Sequence, residues 1–227
     1  MDVFGRDVFA PSGSENEMSF RLNGLTWLAG TALCLTLSFG AHAAGDPVLG
    51  EKKFYTCYGC HGIKDYKNAY PDYSVPKLRH QNALYIVAAL QEYRSGDRPH
   101  ATMHAQAASL SDQDMEDIAA YLQGPEPPKP AADAPAKPPT QVAACVACHG
   151  NNGLGVDAPL TPKPAVLAGQ HVDYLEQALT SYRNGRRKNL VMAGMAQLLA
   201  TDEDVKIAAT YFASQASPLV TATTGSQ

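Results

Sequence analysis

The sequence predicts an all-α protein made of two copies of one helical unit, and three observations predict it. First, the chain repeats. Cys57 and Pro76 recur as Cys145 and Pro164 at an offset of 88 residues. Gln81, Tyr85, Leu90, Tyr93 and Gly96 recur as Gln170, Tyr174, Leu179, Tyr182 and Gly185 at 89, and Asp114 and Tyr121 as Asp204 and Tyr211 at 90. An offset that drifts one residue at a time is what small loop insertions produce. Second, apolar residues recur at helical spacing between good caps in both copies, and no segment alternates with period two. Third, the stretch from Gly124 and Pro125 through Pro127, Pro128 and Pro130 to Pro139 reads as a semi-rigid, extended linker.

The expected organisation is an N-terminal extension and export segment at 1–43, a first domain at 44–124, the linker at 125–139, a second domain at 140–217 and a tail at 218–227. Each domain is shorter than a hundred residues, a size at which an apolar core alone is marginal. The net charge of −4 carries no basic excess, so nucleic acid is not expected as a partner.

In the export segment, Arg21 precedes an apolar run from Leu25 to Phe39, and Ala41-His42-Ala43 supplies small residues for cleavage after Ala43. The run is too short and wrongly flanked for a membrane span. Met18 is read as the true start, and the patternless residues before it as an over-extended reading frame. Cys34 lies inside the run behind Leu33, which argues against a lipid anchor. Its removal leaves two pairs of cysteines.

Within the first copy, one helix is expected to carry Cys57 to His61. A second runs from about Asn82 to Arg94 with Leu84, Val87, Ala88 and Leu90 as its apolar stripe. A third is capped by Ser111 and stopped by Gly124 and Pro125. The second copy repeats this with Val172 to Arg183, and with a helix capped by Thr201 or Asp202 that ends at Ala213.

Each copy holds Cys-x-x-Cys-His: Cys57, Cys60 and His61, then Cys145, Cys148 and His149. Residues i, i+3 and i+4 of a helix share a face. Two thiols so placed can add to the two vinyl groups of one porphyrin while the imidazole reaches its iron, which is the c-type haem attachment pattern. A shared zinc site would need the two distant pairs to converge, and a thioredoxin-like dithiol needs a preceding strand that neither motif has. Two covalently bound haem c groups are expected, with His61 and His149 on the irons.

A carrier closes the sixth iron position. Met103, His100 and His104 are candidates in the first copy. Met103 stands seven residues before Leu110, and Met192 seven before Leu199. His100 and His104 map to Asn189 and Ala193, which cannot ligate, so the repeat selects Met103 and Met192. Met195 remains a competitor to Met192. A methionine near a helix is ordinarily core filler, as Met115 is read to be. Thioether ligation favours the ferrous state and a moderately positive potential.

These residues resemble the dihaem cytochrome c4 family, two tandem class I cytochrome c domains. The resemblance rests on the doubled Cys-x-x-Cys-His-Gly, on Tyr-Arg-x-Gly-x-Arg at 93–98 and 182–187, on Ala-Ala-Tyr at 119–121 and on Leu167-Ala168-Gly169-Gln170. It implies that Pro76 and Pro164 lie beside the proximal histidines, a backbone carbonyl orienting each ring, and that the haems face each other across the domain interface. The chain departs from the pattern at Arg79-His80-Gln81, where Ala-Gly-Gln is usual, and at a loop with Tyr66, Tyr70 and Tyr73 that the second copy lacks. Two distinguishable potentials follow. His80 and His171 are read as surface or helix-start residues. Arg98 and Arg187, matched in the repeat, are assigned to haem propionates, and Arg183, Arg186 and Lys188 to the surface.

The leading functional expectation is a periplasmic carrier passing single electrons from a quinol-oxidising complex to a terminal oxidase, not an enzyme. The alternative is the cytochrome subunit of a periplasmic dehydrogenase, such as a flavocytochrome sulfide dehydrogenase. A catalytic dihaem cytochrome is a third reading, which needs an open or unusually ligated iron. Loose association with the membrane stays open.

Overall fold

The computed structural model describes residues 45–70, 72–125, 137–156 and 164–223. The export segment, Met18, Cys34 and the linker from 126 to 136 lie outside the described residues. Among the described residues the secondary structure is helical, with two isolated bridges, Lys67 with Ser74 and Arg79 with Val220.

The first repeat opens with α1 (Pro47–Lys53), which the sequence reading did not anticipate. Asp46 caps it by accepting from the N–H groups of Val48 and Leu49, and Pro47 fits the first turn, where no donor is needed. α1 lies against the last helix of the repeat so closely that any Cβ on Gly50 would overlap the Asp117 carbonyl. A 3₁₀ turn (Phe54–Cys57) then leads into α2 (Tyr58–His61), a single turn carrying the haem motif. α3 (Ala83–Ser95) follows its Asn82 cap, and α5 (Asp112–Gln123) its Ser111 cap, where Ser111 and Asp114 form a reciprocal capping box. Between them lies α4 (Ala101–Ala108).

The second repeat has no helix matching α1 among the described residues. A 3₁₀ turn (Thr140–Val142) precedes α6 (Val146–His149), then α7 (Val172–Arg183), α8 (Leu190–Ala196) and α9 (Asp202–Ala213). Thr201 is the cap of α9, again with a capping box to Asp204.

The expected stripe on α3 needs correction. Ile86, Ala89 and Tyr93 are the buried face, Val87 and Leu90 are partly covered, and Leu84 is exposed. The helix is apolar on several sides, so periodicity alone could not choose the face.

Each core borrows a side chain from the other repeat. Phe54, Ile86, Ile118, Tyr121 and Leu122 form the first core, into which Ala222 of the C-terminal tail is fully buried. Ala222 donates its N–H to the carbonyl of His61, and Val220 exchanges backbone hydrogen bonds with Arg79. The second core gathers Val142, Leu175, Leu199, Val205 and Phe212, and takes in Tyr73, 7% exposed. The loop carrying Tyr73 is the tyrosine-rich segment present only in the first repeat. The two repeats are thus strapped reciprocally, a loop in one direction and the tail in the other.

Candidate haem sites

Single-turn helices place the proximal groups. His61 is buried, and its Nδ1 lies 3.0 Å from the carbonyl oxygen of Pro76. A carbonyl can only accept, so Nδ1 carries the proton and Nε2 keeps the lone pair that a metal needs. Burial holds the pKa of His61 down at about 4, against the raising effect of the Pro76 hydrogen bond, so the ring is neutral near pH 7. In the second repeat His149 Nδ1 stands 3.0 Å from the carbonyl oxygen of Ala165, and burial likewise pushes its pKa down. The carbonyl expected from Pro164 therefore comes from the next residue. Ala165 lies 89 residues after Pro76, so the loop insertion precedes it and shifts the register by one.

Cys57, Cys60 and His61 line one predominantly apolar cavity together with Met103, Ile86 and Leu90. Burial pushes the thiols of Cys57 and Cys145 up, opposite to the lowered values of reactive dithiols and metal-bound thiolates. Among the described residues no three His, Cys, Asp or Glu side chains cluster as a zinc site would require.

Two short helices that the sequence reading missed, α4 and α8, carry the methionines. Met103 is half-buried and packs against the cluster of Tyr93, Ala107 and Met115. Its N–H donates to His100 Nδ1 at 3.3 Å; in the second repeat the N–H of Met192 donates to Asn189 Oδ1 at 3.1 Å. His100 and Asn189, which are not equivalent as ligands, are equivalent as helix caps. His100 also lines the cavity, but an Nδ1 that accepts leaves the proton of the neutral ring on Nε2, with no lone pair for iron. His104 is exposed and holds its Nδ1 on the Tyr93 carbonyl at 2.9 Å. Met192 is half-buried, whereas Met195 is 37% exposed.

Arg98 is 2% exposed and lines the same cavity. Its Nη2 donates to the hydroxyls of Tyr85 at 2.9 Å and Tyr174 at 2.8 Å, one from each repeat. Among the described residues its Nε and Nη1 have no hydrogen-bond partner, and Nη1 forms a loose ion pair with the Glu92 carboxylate at 3.6 Å. A buried guanidinium whose one carboxylate neighbour stays beyond hydrogen-bond distance calls for a closer acceptor. A haem propionate fits that demand. Arg187 is buried over the rings of Tyr174 and Tyr182, the counterparts of Tyr85 and Tyr93 that Arg98 covers. His80 takes the left-handed position that Gly169 takes in the second repeat, at φ 66° and 63° respectively.

The family model for cytochrome c matches this chain twice, over residues 48–124 and 139–216. Cytochrome c4 of Stutzerimonas stutzeri is 34% identical over 209 residues, spanning 81% of this chain and 96% of that protein. The chain belongs to the dihaem cytochrome c4 family. This cytochrome binds two haem c groups covalently, and bound haem supplies a one-electron ferric/ferrous couple. The crystal structure of reduced recombinant cytochrome c4 from Pseudomonas stutzeri is a structural neighbour, with a TM-score of 0.59 and 32% identity, covering 76% of this chain and all of that one. A protein named thiosulfate dehydrogenase electron acceptor, from Stutzerimonas stutzeri strain A1501, is 34% identical over 85% of this chain and 96% of its own.

Proposed function

We propose that this cytochrome is an exported periplasmic electron carrier, not an enzyme, passing single electrons between a quinol-oxidising complex and a terminal oxidase. In this reading Cys57 and Cys60 hold one haem and Cys145 and Cys148 the other. His61 and Met103 ligate the first iron, and His149 and Met192 the second. The observation that carries it is the convergence of Cys57, Cys60, His61 and Met103 on one apolar cavity, with the lone pair of His61 left on Nε2 by the Pro76 hydrogen bond. An iron closed by imidazole and thioether has no position for substrate and changes only its charge.

Periplasmic location rests on the export segment; among the described residues no helix is long and apolar enough to cross a membrane. The test is a redox titration followed by absorption spectra on the mature holoprotein, with carbon monoxide added to the reduced form. Two six-coordinate, low-spin irons that refuse carbon monoxide at neutral pH are expected. A readily binding iron would favour a catalytic cytochrome instead.

A second reading, the electron acceptor of a periplasmic dehydrogenase, is favoured by the likeness to the thiosulfate dehydrogenase electron acceptor. It differs in the donor. Reduction by a purified dehydrogenase at rates that a quinol-oxidising complex cannot match would select it.

A further inference from the structure

Gln81 and Gln170 occupy equivalent places just before α3 and α7, and both are buried, at 3% and 5% exposure. Each reaches across the interface to the backbone of the other repeat. Gln81 Oε1 accepts the N–H of Val166 at 2.7 Å, and its Nε2 donates to the Val166 carbonyl at 3.0 Å. Gln170 does the same to Lys77, with both distances at 3.0 Å. Accepting from an N–H while donating to a carbonyl fixes the orientation of each side-chain amide.

The residues gripped are the ones that follow the proximal carbonyls. The N–H of Lys77 and the carbonyl of Pro76 belong to one peptide group, and that carbonyl accepts the Nδ1–H of His61. The N–H of Val166 and the carbonyl of Ala165, which accepts from His149, belong to another. Each chain of hydrogen bonds therefore runs from an imidazole through a single peptide to a glutamine of the opposite repeat. Hydrogen bonds in series polarise one another. Drawing on the peptide N–H makes its carbonyl a stronger acceptor, and a stronger pull on Nδ1–H makes the imidazole more basic toward iron. A more basic ligand favours the ferric state.

We propose that Gln81 and Gln170 are positioning residues that set the haem potentials in trans, Gln81 lowering that of the haem on His149 and Gln170 that of the haem on His61. The inference rests on the reading of His61 and His149 as iron ligands. It gives each repeat a handle on the peptide that holds the other's histidine.

The experiment uses the holoprotein with Gln81→Leu, Gln170→Leu, Gln81→Glu and Gln170→Glu. Each haem is titrated separately by its paramagnetically shifted NMR signals, and the Nδ1–H resonances of His61 and His149 are recorded in the ferrous form. Small-angle scattering monitors whether the repeats stay together. Gln81→Leu is expected to raise the potential on His149 and move its Nδ1–H signal while leaving the His61 haem in place. Gln170→Leu is expected to do the reverse. Glutamate keeps an oxygen that accepts from the opposite N–H and, when protonated, a hydroxyl that can donate to the opposite carbonyl, so the protonated form is expected to restore the lower potential. A shift at the haem of the mutated repeat, equal shifts at both, shifts accompanied by separation of the repeats, or no shift would each overturn the proposal. Irons without His/Met spectra would overturn the ligand reading instead, so the two failures are distinguishable.

Discussion

Asp173, in the first turn of α7, accepts hydrogen bonds from both the N–H and the hydroxyl of Ser74, 99 residues earlier in the chain, at 3.0 and 2.9 Å. The same carboxylate meets Lys67 at 3.2 Å. These contacts seat Tyr73 in the second core, with its ring centroid 6.2 Å from that of Tyr174. Tyr73→Ala should therefore destabilise the second repeat although the residue belongs to the first. The loss expected is about 3–5 kcal/mol, as for other buried aromatic side chains cut back to alanine. Denaturant unfolding of the holoprotein measures it, and an effect below about 1 kcal/mol would mean that the loop does not hold the core.

Met103→Ala and Met192→Ala should each remove one half of the sulfur-to-iron charge-transfer absorption of the ferric protein. Met195→Ala should leave it whole. His100→Asn should keep the band and the cap, since asparagine serves at the matching position of α8. His100→Ala should keep the band and cost about 1 kcal/mol, the usual price of losing a helix cap. If the band survives Met103→Ala and disappears with His100→Ala, the ligand assignment is wrong.

Acid should weaken the first repeat through Asp114. Its hydrogen bond with Lys53 is the main cause that holds its pKa down at about 2, with Ser111 adding to it, against an ordinary carboxylate value of about 4. A depressed folded-state pKa means the stabilisation is fully present above the unfolded value. It is lost as pH falls from about 4 through about 2. Thermal melts of the wild type and Asp114→Asn across that range should converge at the acid end. A difference that stays constant with pH would assign the effect to the cap geometry alone.

The pair His80 and Gly169 predicts an asymmetry. A histidine in the left-handed region carries strain of about 1 kcal/mol, so His80→Gly should leave stability unchanged or raise it by that amount. Gly169→Ala should be harmful, because the new Cβ would overlap the Cβ of Ser217 where the chain leaves α9. Thermal denaturation of both variants tests this, and a tolerant Gly169→Ala would show that the segment carrying Ser217 can move aside.

Much of this architecture is legible along the chain. Ser111, Thr201 and Asn82 mark helix starts because their short polar side chains satisfy free N–H groups of the first turn, an interaction that reaches no further than three residues. Cys57, Cys60 and His61 declare their chemistry by spacing alone. Other features escape such a reading. α1 is short and carries glycine in its middle, so its stability comes from packing on α5. The residue that supplies the carbonyl to His149 depended on where a one-residue insertion falls in the loop before it. Nothing in the periodicity of α3 could show that Leu84 faces outward.

The sequence by itself determined the two haem-binding motifs, the doubling of the helical unit and the pairing of Met103 with Met192, because these are set by covalent spacing and by repetition. Only the tertiary structure decided that Tyr73 and Ala222 complete each other's repeats, that Arg98 bonds to a tyrosine of each repeat beside the cavity, and that Gln81 and Gln170 grip the peptides behind the opposite histidines. Those relations join residues dozens of positions apart. They exist only when burial removes water as the competing hydrogen-bond partner.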